Sequence, residues 1–291
     1  MDSRVPPVSV VMTVRNVGKY IVQCIESILG QTFSDFEIVI IDDMSNDKTT
    51  NMIKKFDDQR IRYFRNEKWL GISKSRNRGL NYARGEYIFF TDGDCIVSTD
   101  WIKEGLRYLE DPTCVGVEGK IYYVSDNYEP SFSDHVTENK YGGHFMTGNV
   151  AYKRSVIERI GGFDERYTYF EDRDLALRAM KFGRIDFSSE MKAYHPKNVL
   201  TPTQFVLGGK KIRNKVLLYK KFGDHTSFLW RIVSPQNLIA IFFPPLIFLT
   251  FFRNRYLTKE DFILFPFIYP RLIYERLNLW YMSIKERIFL I

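Results

Sequence analysis

Residues 8–43 read VSVVMTVRNVGKYIVQCIESILGQTFSDFEIVIIDD, and this stretch decides the fold. It contains two short β-branched apolar runs, at 8–14 and 36–41, each of a length typical of a buried strand. Between the two runs, apolar residues recur at helical spacing: Ile21, Ile25, Ile28 and Leu29. Gly30 then ends the helical pattern, as glycine often does at a helix C-terminus. The stretch therefore predicts a strand–helix–strand unit, the building block of a parallel sheet.

The same alternation continues as far as residue 91. Strands are expected at 61–64 and 86–91, with a helix over 73–83 between them. Asn16 is a candidate N-cap for the first helix, and the Ser-Asn-Asp sequence at 45–47 is a candidate cap for the second. Continuous apolar strands between helices predict an α/β fold with a mostly parallel central sheet and helices on both faces.

Polar side chains follow three of the expected strands, where ligands of such sheets bind. These stretches are 13–16, Asp42-Asp43 and Asp92-Gly93-Asp94, and the last interrupts the apolar run YIFFTDGDCIV at 87–97. Two carboxylates at the end of a core strand are costly unless a positive group neutralises them. An Asp-Gly-Asp taken alone favours a tight turn. The convergence of the three stretches favours a binding site.

The chain beyond residue 113 is expected to add strands, a flexible loop at 125–135, and helices near 153–160 and 171–182. On the last of these helices, Asp174 and Arg178 are four residues apart and can form an ion pair. Asp172 lies at the N-terminus of the same helix, at the boundary of its buried face.

Composition excludes several classes of protein. The chain has 291 residues, of which 45% are hydrophobic and 26% charged, so it is globular and not disordered. Cys24, Cys95 and Cys114 lie far apart and form no metal-binding spacing. They predict reduced thiols instead of a disulfide framework. The first residues show neither a basic segment nor a cleavable apolar segment, so no signal peptide is expected.

Positive charge is concentrated in the last third of the chain. From Lys197 onward there are 15 Lys and Arg against 5 Asp and Glu, whereas the whole chain has a net charge of +7. This asymmetry favours an anionic partner for the segment. Long apolar blocks in the same segment favour a membrane surface, and no nucleic acid is expected.

A window without charge, 232–252, is long enough to cross a bilayer, but Pro244-Pro245 interrupts it. The flanking segments 208–221, 262–270 and 271–291 mix basic, aromatic and apolar residues, as membrane-interface segments do. We therefore expect monotopic or re-entrant attachment to the membrane. A spanning helix or hairpin and an ordinary helical cap are the alternatives.

Several motifs occur in the order found in one family of enzymes. The opening stretch at 8–43 is followed by GISKSRNRGLNYARGEYIFFTDGDC, by GGFDE and by FEDRDLALRAMKFG. Together they resemble glycosyltransferase family 2, the inverting enzymes of the Rossmann-like GT-A fold. The resemblance covers about residues 8–200. It implies a catalytic domain at 1–200. The resemblance does not cover 201–291, which we expect from its composition to form a helical, membrane-associated extension.

The resemblance implies a divalent cation, Mn²⁺ or Mg²⁺, at the DxD-type motif. Asp94 matches the family residue that contacts the metal, and Asp92 the one that faces the ribose or the metal. His195, in the sequence AYHP, matches a histidine near the metal or the diphosphate. Carboxylates of this kind can hold a hard cation that bridges substrate phosphates.

The resemblance also implies a nucleotide site. Asp43 matches the residue that accepts a hydrogen bond from the nucleobase, with Asp42 or Asp47 available as a helix cap instead. The remaining candidates are Thr13, Arg15 and Asn16 after the first strand, and Asn77 and Arg78 in the helix 73–83. Arg15 stands where many relatives carry Tyr, and a charged helix such as 73–83 is often only a solvated surface.

Asp172 matches the catalytic base, which deprotonates the acceptor hydroxyl opposite the leaving diphosphate. Its place at a helix N-terminus is expected to keep it ionised. Glu171 is the alternative base. Gly148, Asn149 and Glu171 match positions near the acceptor or the sugar.

The resemblance implies a hexosyltransferase that moves one sugar at a time, because no Gln-x-x-Arg-Trp motif of processive synthases follows residue 172. The donor is expected to be a UDP-sugar, with a GDP-sugar possible. The acceptor is expected to be lipid-linked, a polyprenyl phosphate or a lipid-linked glycan, on the cytoplasmic side of the cell membrane. The alternatives are a soluble or polysaccharide acceptor, and a non-catalytic nucleotide- or glycan-binding protein.

Overall fold

The computed structural model describes residues 5–125, 127–223 and 257–288. They form two compact units. The first contains residues up to 125 together with 137–196, and the second contains 127–136 and the described residues from 197 onward. The sequence predicted a boundary at residue 200 and no contribution to the second unit from 127–136.

The first unit contains one eight-stranded mixed sheet in the order β3-β2-β1-β4-β7-β6-β8-β5. Its strands are β1 (Val8–Val14), β2 (Phe36–Asp42), β3 (Ile61–Arg65), β4 (Tyr87–Phe90), β5 (Ile96–Val97), β6 (Cys114–Tyr123), β7 (Val150–Lys153) and β8 (Arg184–His195). Strands β1 to β4 are parallel, as predicted. Strand β7 runs antiparallel to both its neighbours, whereas β6 and β8 are parallel to each other. The α/β prediction is therefore confirmed.

Six helices accompany the sheet in the described part of the first unit: α1 (Ile21–Leu29), α2 (Thr49–Ile53), α3 (Ile72–Tyr82), α4 (Trp101–Leu109), α5 (Arg154–Ile160) and α6 (Glu171–Ala179). The prediction that Asn16 caps α1 is wrong. The helix begins after Tyr20 without a side-chain cap. Asn16 instead has a φ of +56° and accepts a hydrogen bond from the backbone N–H of Asn46 at 2.9 Å.

Both faces of the sheet are buried, as the continuous apolar strands require. Along β1, Val8, Val10, Met12 and Val14 point into one core with α1 and α4, whereas Val11 points into the other with α5 and α6. This alternation is the period of two expected of a strand. Helices on both faces leave the ends of the strands as the place where polar side chains can converge.

The second unit contains α7 (Pro202–Leu207), α8 (Ile212–Phe222), α9 (Lys259–Leu264) and α10 (Ile268–Glu286). The stretch 125–135, predicted to be a flexible loop, packs into this unit over residues 127–135. The backbone N–H of Ser133 donates to Asp261 Oδ1 at 2.6 Å, and the rings of Phe132 and Phe205 lie 5.4 Å apart.

Within the described ranges, no helix is both long enough and apolar enough to cross a membrane. The window 232–252, on which the prediction of membrane insertion rested, lies outside the described residues.

Candidate functional site

The polar ends of β1, β2 and β4 meet at one edge of the sheet, as predicted. Strand β1 lies between β2 and β4 in parallel register, and the backbone N–H of Asp43 donates to the carbonyl of Val14 at 2.9 Å. The chain order of the strands reverses beside β1, which is the switch point where ligands bind in such sheets. The edge therefore has the position of a ligand site before any side chain is considered.

Asp92, Gly93 and Asp94 turn sharply after β4. The N–H of Cys95 donates to the carbonyl of Asp92 at 3.1 Å, so the tight-turn interpretation is also correct. A Cβ at Gly93 would lie 2.6 Å from Val14 Cγ1, and glycine is required because the turn packs directly on β1. This packing holds both carboxylates at the sheet edge, with their side chains about a quarter to a third exposed.

His195, at the end of β8, lies beside Asp94. Its Nε2 is 3.6 Å from Asp94 Oδ2, and its Nδ1 is 2.9 Å from the carbonyl oxygen of Pro196. Burial raises the pKa of Asp94, His195 lowers it and Asp92 raises it, with a net upward shift. Over the described residues, no group of three or more His, Cys, Asp or Glu is placed to hold a metal ion.

The positive group that neutralises Asp92 is Arg76 of α3. Its Nη2 lies 3.3 Å from Asp92 Oδ1, and its Nη1 donates to Glu171 Oε1 at the start of α6. The guanidinium is almost fully buried and packs on the ring of Phe163 at 5.6 Å. Burial opposes its charge, but Glu171, Asp92 and Asp172 together raise the pKa of Arg76, which keeps it protonated.

The resemblance placed Arg76 in the helix 73–83, which is expected to face the nucleotide, but it did not predict the contacts of Arg76 with Asp92 and Glu171. The sequence does carry a signal for its burial. Arg76 shares the buried face of α3 with Ser73 and Gly79, three residues away on either side. An arginine flanked at helical spacing by small residues is buried without steric conflict, and a buried arginine requires carboxylate partners.

Glu171 and Asp172 occupy the first turn of α6, after Phe170 in the left-handed conformation with a φ of +65°. Glu171 has one oxygen on Arg76, while its buried Oε2 has no hydrogen-bond partner within the described residues. Asp172 Oδ1 accepts a hydrogen bond from the N–H of Arg173 at 2.7 Å. The helix N-terminus does not keep Asp172 strongly acidic. Burial and the neighbouring Glu171 raise its pKa to about 7, against the effect of Arg76.

The two aspartates after β2 have different roles. Asp42 is fully buried and accepts hydrogen bonds from Ser45, Thr50 and Tyr63, so it holds the turn. Asp43 accepts bonds from the side chain of Asn66 and from the backbone N–H groups of Leu70 and Gly71. A carboxylate has about four acceptor sites, so Asp43 retains capacity for a ligand.

Three other predicted ligand residues have structural contacts. Asn77 exchanges hydrogen bonds with the backbone of Phe163, at 2.8 and 2.9 Å, and so anchors the loop before α6. Arg78 donates to the carbonyl of Arg65 and the side chain of Asn66. Asn149 is completely buried, and its amide bonds Trp101, Lys120 and Met191. Asn149 is therefore a core residue and not an acceptor contact, whereas Asn77 and Arg78 support the site from outside it.

Gly148 lies directly against the Asp-Gly-Asp turn. A Cβ at this position would lie 3.1 Å from Asp92 Oδ2, and its carbonyl accepts a bond from Thr91 at 3.2 Å. After β1, Thr13 Oγ1 is buried without a partner in the described part of the chain. The guanidinium carbon of Arg15 lies 5.0 Å from the centre of the Trp69 ring.

Comparison with solved structures places the fold. The mannosyltransferase PcManGT from Pyrobaculum calidifontis, solved with GDP-Man and Mn²⁺, has a TM-score of 0.65 at 15% identity. The alignment covers 96% of this chain and 88% of PcManGT. At this identity the likeness concerns the fold alone, and it confirms the expected GT-A type.

Two sequence relatives carry names with assigned functions. Glycosyltransferase GlyG of Streptococcus pneumoniae serotype 4 is 35% identical over 132 residues, which are 45% of this chain and 44% of GlyG. UDP-Glc:alpha-D-GlcNAc-diphosphoundecaprenol beta-1,3-glucosyltransferase WfaP of Escherichia coli is 29% identical over 170 residues, 58% of this chain and 68% of WfaP. This chain therefore matches less than half the length of GlyG and about two thirds of WfaP.

The sequence pattern of Glycosyl transferase family 2 matches residues 9–163. This region contains β1 to β7, the Asp-Gly-Asp turn and Arg76. Because the match extends over more than half of the chain, the protein belongs to glycosyl transferase family 2.

Proposed function

We propose that the protein transfers a single sugar from a nucleotide-diphosphate sugar to an acceptor, with inversion at the anomeric carbon. The observation that carries the proposal is the cluster around Arg76. One buried guanidinium joins the Asp-Gly-Asp turn to the acidic start of α6. A site for the donor diphosphate and a candidate base are thereby held together.

In this proposal Asp94 and His195 hold Mn²⁺ or Mg²⁺. If Nδ1 of His195 donates its proton to the Pro196 carbonyl, Nε2 presents a lone pair toward Asp94 Oδ2, 3.6 Å away. Two electron-rich atoms this close fit a cation between or beside them. Such ions commonly take their remaining ligands from substrate phosphates and water, which agrees with a site of few protein ligands. When bound, the ion neutralises the charge of the leaving diphosphate.

Asp172 is the proposed base. Arg76 occupies one oxygen of Glu171, whereas no lysine or arginine forms an ion pair with Asp172 in the described structure. A carboxylate with a pKa of about 7 is well suited to accept a proton near neutral pH. The deprotonated acceptor oxygen then attacks the anomeric carbon from the face opposite the diphosphate, and this single displacement inverts the configuration. The unpartnered Oε2 of Glu171 is available to a sugar hydroxyl.

We further propose a lipid-linked acceptor and peripheral attachment to the cytoplasmic side of the cell membrane. The name of WfaP, which specifies a diphosphoundecaprenol-linked substrate, supports the acceptor. The exposed side of α10 supports attachment, because it carries an apolar row, namely Tyr269, Ile273, Leu277, Trp280 and Ile284. The opposite side of the same helix packs in a core with Leu279 and Met282. A helix that is apolar on both sides is normally buried on both, by protein or by lipid.

The test is a transfer assay with UDP- and GDP-sugars and a polyprenyl-linked acceptor, in Mn²⁺ or Mg²⁺, with NMR of the anomeric proton of the product. We expect turnover with inverted configuration, and loss of turnover in excess chelator and in Asp94→Ala. Retained configuration, or full turnover in chelator, contradicts the mechanism. Transfer only to soluble glycans would support the proposed transferase activity and contradict the lipid-linked acceptor. Nucleotide binding without any transfer or donor hydrolysis would favour the non-catalytic alternative.

A further inference from the structure

The guanidinium of an arginine lies over the ring of an exposed tryptophan at the ligand-binding edge of the first unit. The guanidinium carbon of Arg15 is 5.0 Å from the centre of the Trp69 ring. Trp69 is 63% exposed, an unusual position for the largest apolar side chain. Arg15 forms no ion pair or hydrogen bond with any residue that the structure describes. Both side chains therefore have surface available to a ligand.

The loop that carries Trp69 is held firmly in place. Asp43 accepts hydrogen bonds from the N–H groups of Leu70 and Gly71, the two residues after Trp69, at 2.8 and 2.9 Å. It also accepts a bond from Asn66 at 2.8 Å. Gly71 has a φ of +87° with no atom near its Cβ direction, so the turn requires glycine for its conformation alone. A buried carboxylate thus fixes the backbone beside an exposed aromatic residue, an arrangement suited to a binding surface.

The position of the ring matches one end of an extended nucleotide. Asp92 and Asp94 follow β4, Arg15 follows β1, and Asp43 follows β2. Adjacent strands lie roughly 4.8 Å apart, so the line from β4 to β2 spans roughly 10 Å. A diphosphate at the Asp-Gly-Asp turn directs the nucleoside along this line, toward Asp43 and the loop of Trp69.

We propose that Trp69 is the stacking surface for the nucleobase of the donor, with Arg15 packed against the same ring. This inference rests on the proposed function and deepens it. Position 15, after β1, carries arginine and offers no aromatic ring. In this proposal the aromatic face therefore comes from the loop after β3. Stacking on a π-face tolerates every base, so Trp69 contributes affinity for a nucleoside and leaves the choice of base to hydrogen bonds.

The test is a binding study of the full chain with UDP, GDP and inorganic pyrophosphate, each in Mg²⁺. Calorimetry is carried out on the native protein and on Trp69→Ala and Trp69→Phe. We expect Trp69→Ala to weaken binding of the nucleoside diphosphate by about 5- to 150-fold, the range measured for loss of base stacking. Trp69→Phe, which keeps an aromatic face, should lose much less. Pyrophosphate, which has no base, should bind all three proteins equally.

Fluorescence supplies an independent readout and a matched control. Trp280 of α10 is also exposed, at 52%, but belongs to the second unit. Nucleotide should quench the fluorescence of the native protein and of Trp280→Phe, and the same quenching should be absent in Trp69→Phe.

Two results overturn the inference, and they are distinguishable. If the native protein binds nucleoside diphosphates and Trp69→Ala binds them equally well, the stacking role is wrong while the proposed function stands. If the native protein binds neither nucleotide nor pyrophosphate, the proposed function fails, and the stacking role fails with it.

Discussion

Arg76 links the two acidic motifs of the site through individual side-chain contacts. Its guanidinium lies within contact of Glu171 and within 3.3 Å of Asp92, in surroundings that exclude most of the solvent. A buried pair of this kind is strongly destabilised when one partner is removed, because the other charge remains buried. At the level of single residues, Glu171 is paired with Arg76, whereas Asp172 forms no ion pair within the described residues and is the proposed base.

Arg76→Lys and Arg76→Met test the role of the ion pairs between Arg76 and the carboxylates of Glu171 and Asp92. Lysine keeps the charge but cannot bond both carboxylates with one planar group, so we expect a fall in kcat of at least ten-fold with a moderate loss of Tm. Methionine leaves Glu171 and Asp92 unpaired, and we expect it to lower Tm further. Steady-state kinetics and thermal unfolding provide the measurements. Unchanged kcat in Arg76→Lys would show that the guanidinium does not position the site.

The pH dependence of activity tests Asp172. The charged groups that act on it are Glu171 and Asp92, which raise its pKa, and Arg76, which lowers it, while burial raises it most. A base must be unprotonated, so kcat/KM should fall as the pH is lowered through about 7. Asp172→Asn should lose activity at every pH. A rate that is constant from pH 6 to 8 in the native protein would argue against Asp172 as the base.

The raised pKa of Asp172 also predicts how the stability of the protein depends on pH. The folded-state pKa of Asp172, about 7, lies above the ordinary value of 3.8, so the folded protein binds the extra proton between these limits. Stability therefore decreases as the pH rises from about 4 to about 7. Asp172→Asn removes this cost and keeps an oxygen for the N–H of Arg173. The Tm of Asp172→Asn minus that of the native protein should increase as the pH rises from about 4 to about 7. A Tm difference that stays constant over this range would contradict the raised pKa of Asp172.

At the scale of elements, the site depends on close approach between backbones. The turn after β4 packs on β1 through Gly93, and the loop before β7 packs on the same turn through Gly148. Neither glycine has a positive φ. Glycine is therefore required at both positions because a side chain has no room, and not because the backbone needs conformational freedom. A larger residue at Gly148 would displace Asp92, and one at Gly93 would displace the turn from Val14 of β1.

Gly148→Ala is the direct test of this packing. Its Cβ would lie 3.1 Å from Asp92 Oδ2, a distance that forces a displacement of a few tenths of an ångström. We expect kcat to fall several-fold, with a change in Tm of at most a few degrees. Gly208→Ala is a matched control, because its Cβ would have no neighbour closer than 3.5 Å. Equal kcat in the two variants would show that the position of Asp92 is not limiting.

The whole molecule combines a catalytic unit with a second unit that presents an apolar helix side. On α10 the exposed fractions of the apolar row range from 36% at Tyr269 to 79% at Ile284, and the chain from Lys197 onward is rich in Lys and Arg. Apolar and aromatic residues beside basic residues favour an anionic bilayer surface. The proposed attachment predicts binding to vesicles without a spanning helix.

Flotation with vesicles that contain anionic lipid tests the attachment. The native protein should float, and the double variant Leu277→Ser, Trp280→Ser should float much less, because two exposed apolar anchors are lost. Trp69→Ala removes an exposed tryptophan from the first unit and should float like the native protein. Equal flotation of the double variant and the native protein would remove α10 as the attachment surface.

The order of strands and helices up to residue 91 could be predicted from sequence because it depends on local periodicity. Apolar spacing of two or of about four residues is visible in a window of ten residues, and the ends of parallel strands necessarily lie at one edge. The sequence by itself therefore determined the α/β fold and the placement of Asp43, Asp92 and Asp94 at one edge of the sheet, whereas Asp172 was predicted only from the family resemblance.

Only the tertiary structure decided which of these groups interact. Arg76 and Glu171 are 95 positions apart, and Asn149 is paired with residues 29 to 48 positions away. The antiparallel β7 and the joining of 127–136 to the second unit are likewise contacts between distant segments. Local periodicity carries no information about such pairs, because their stability comes from burial and charge neutralisation that exist only once the chain has folded.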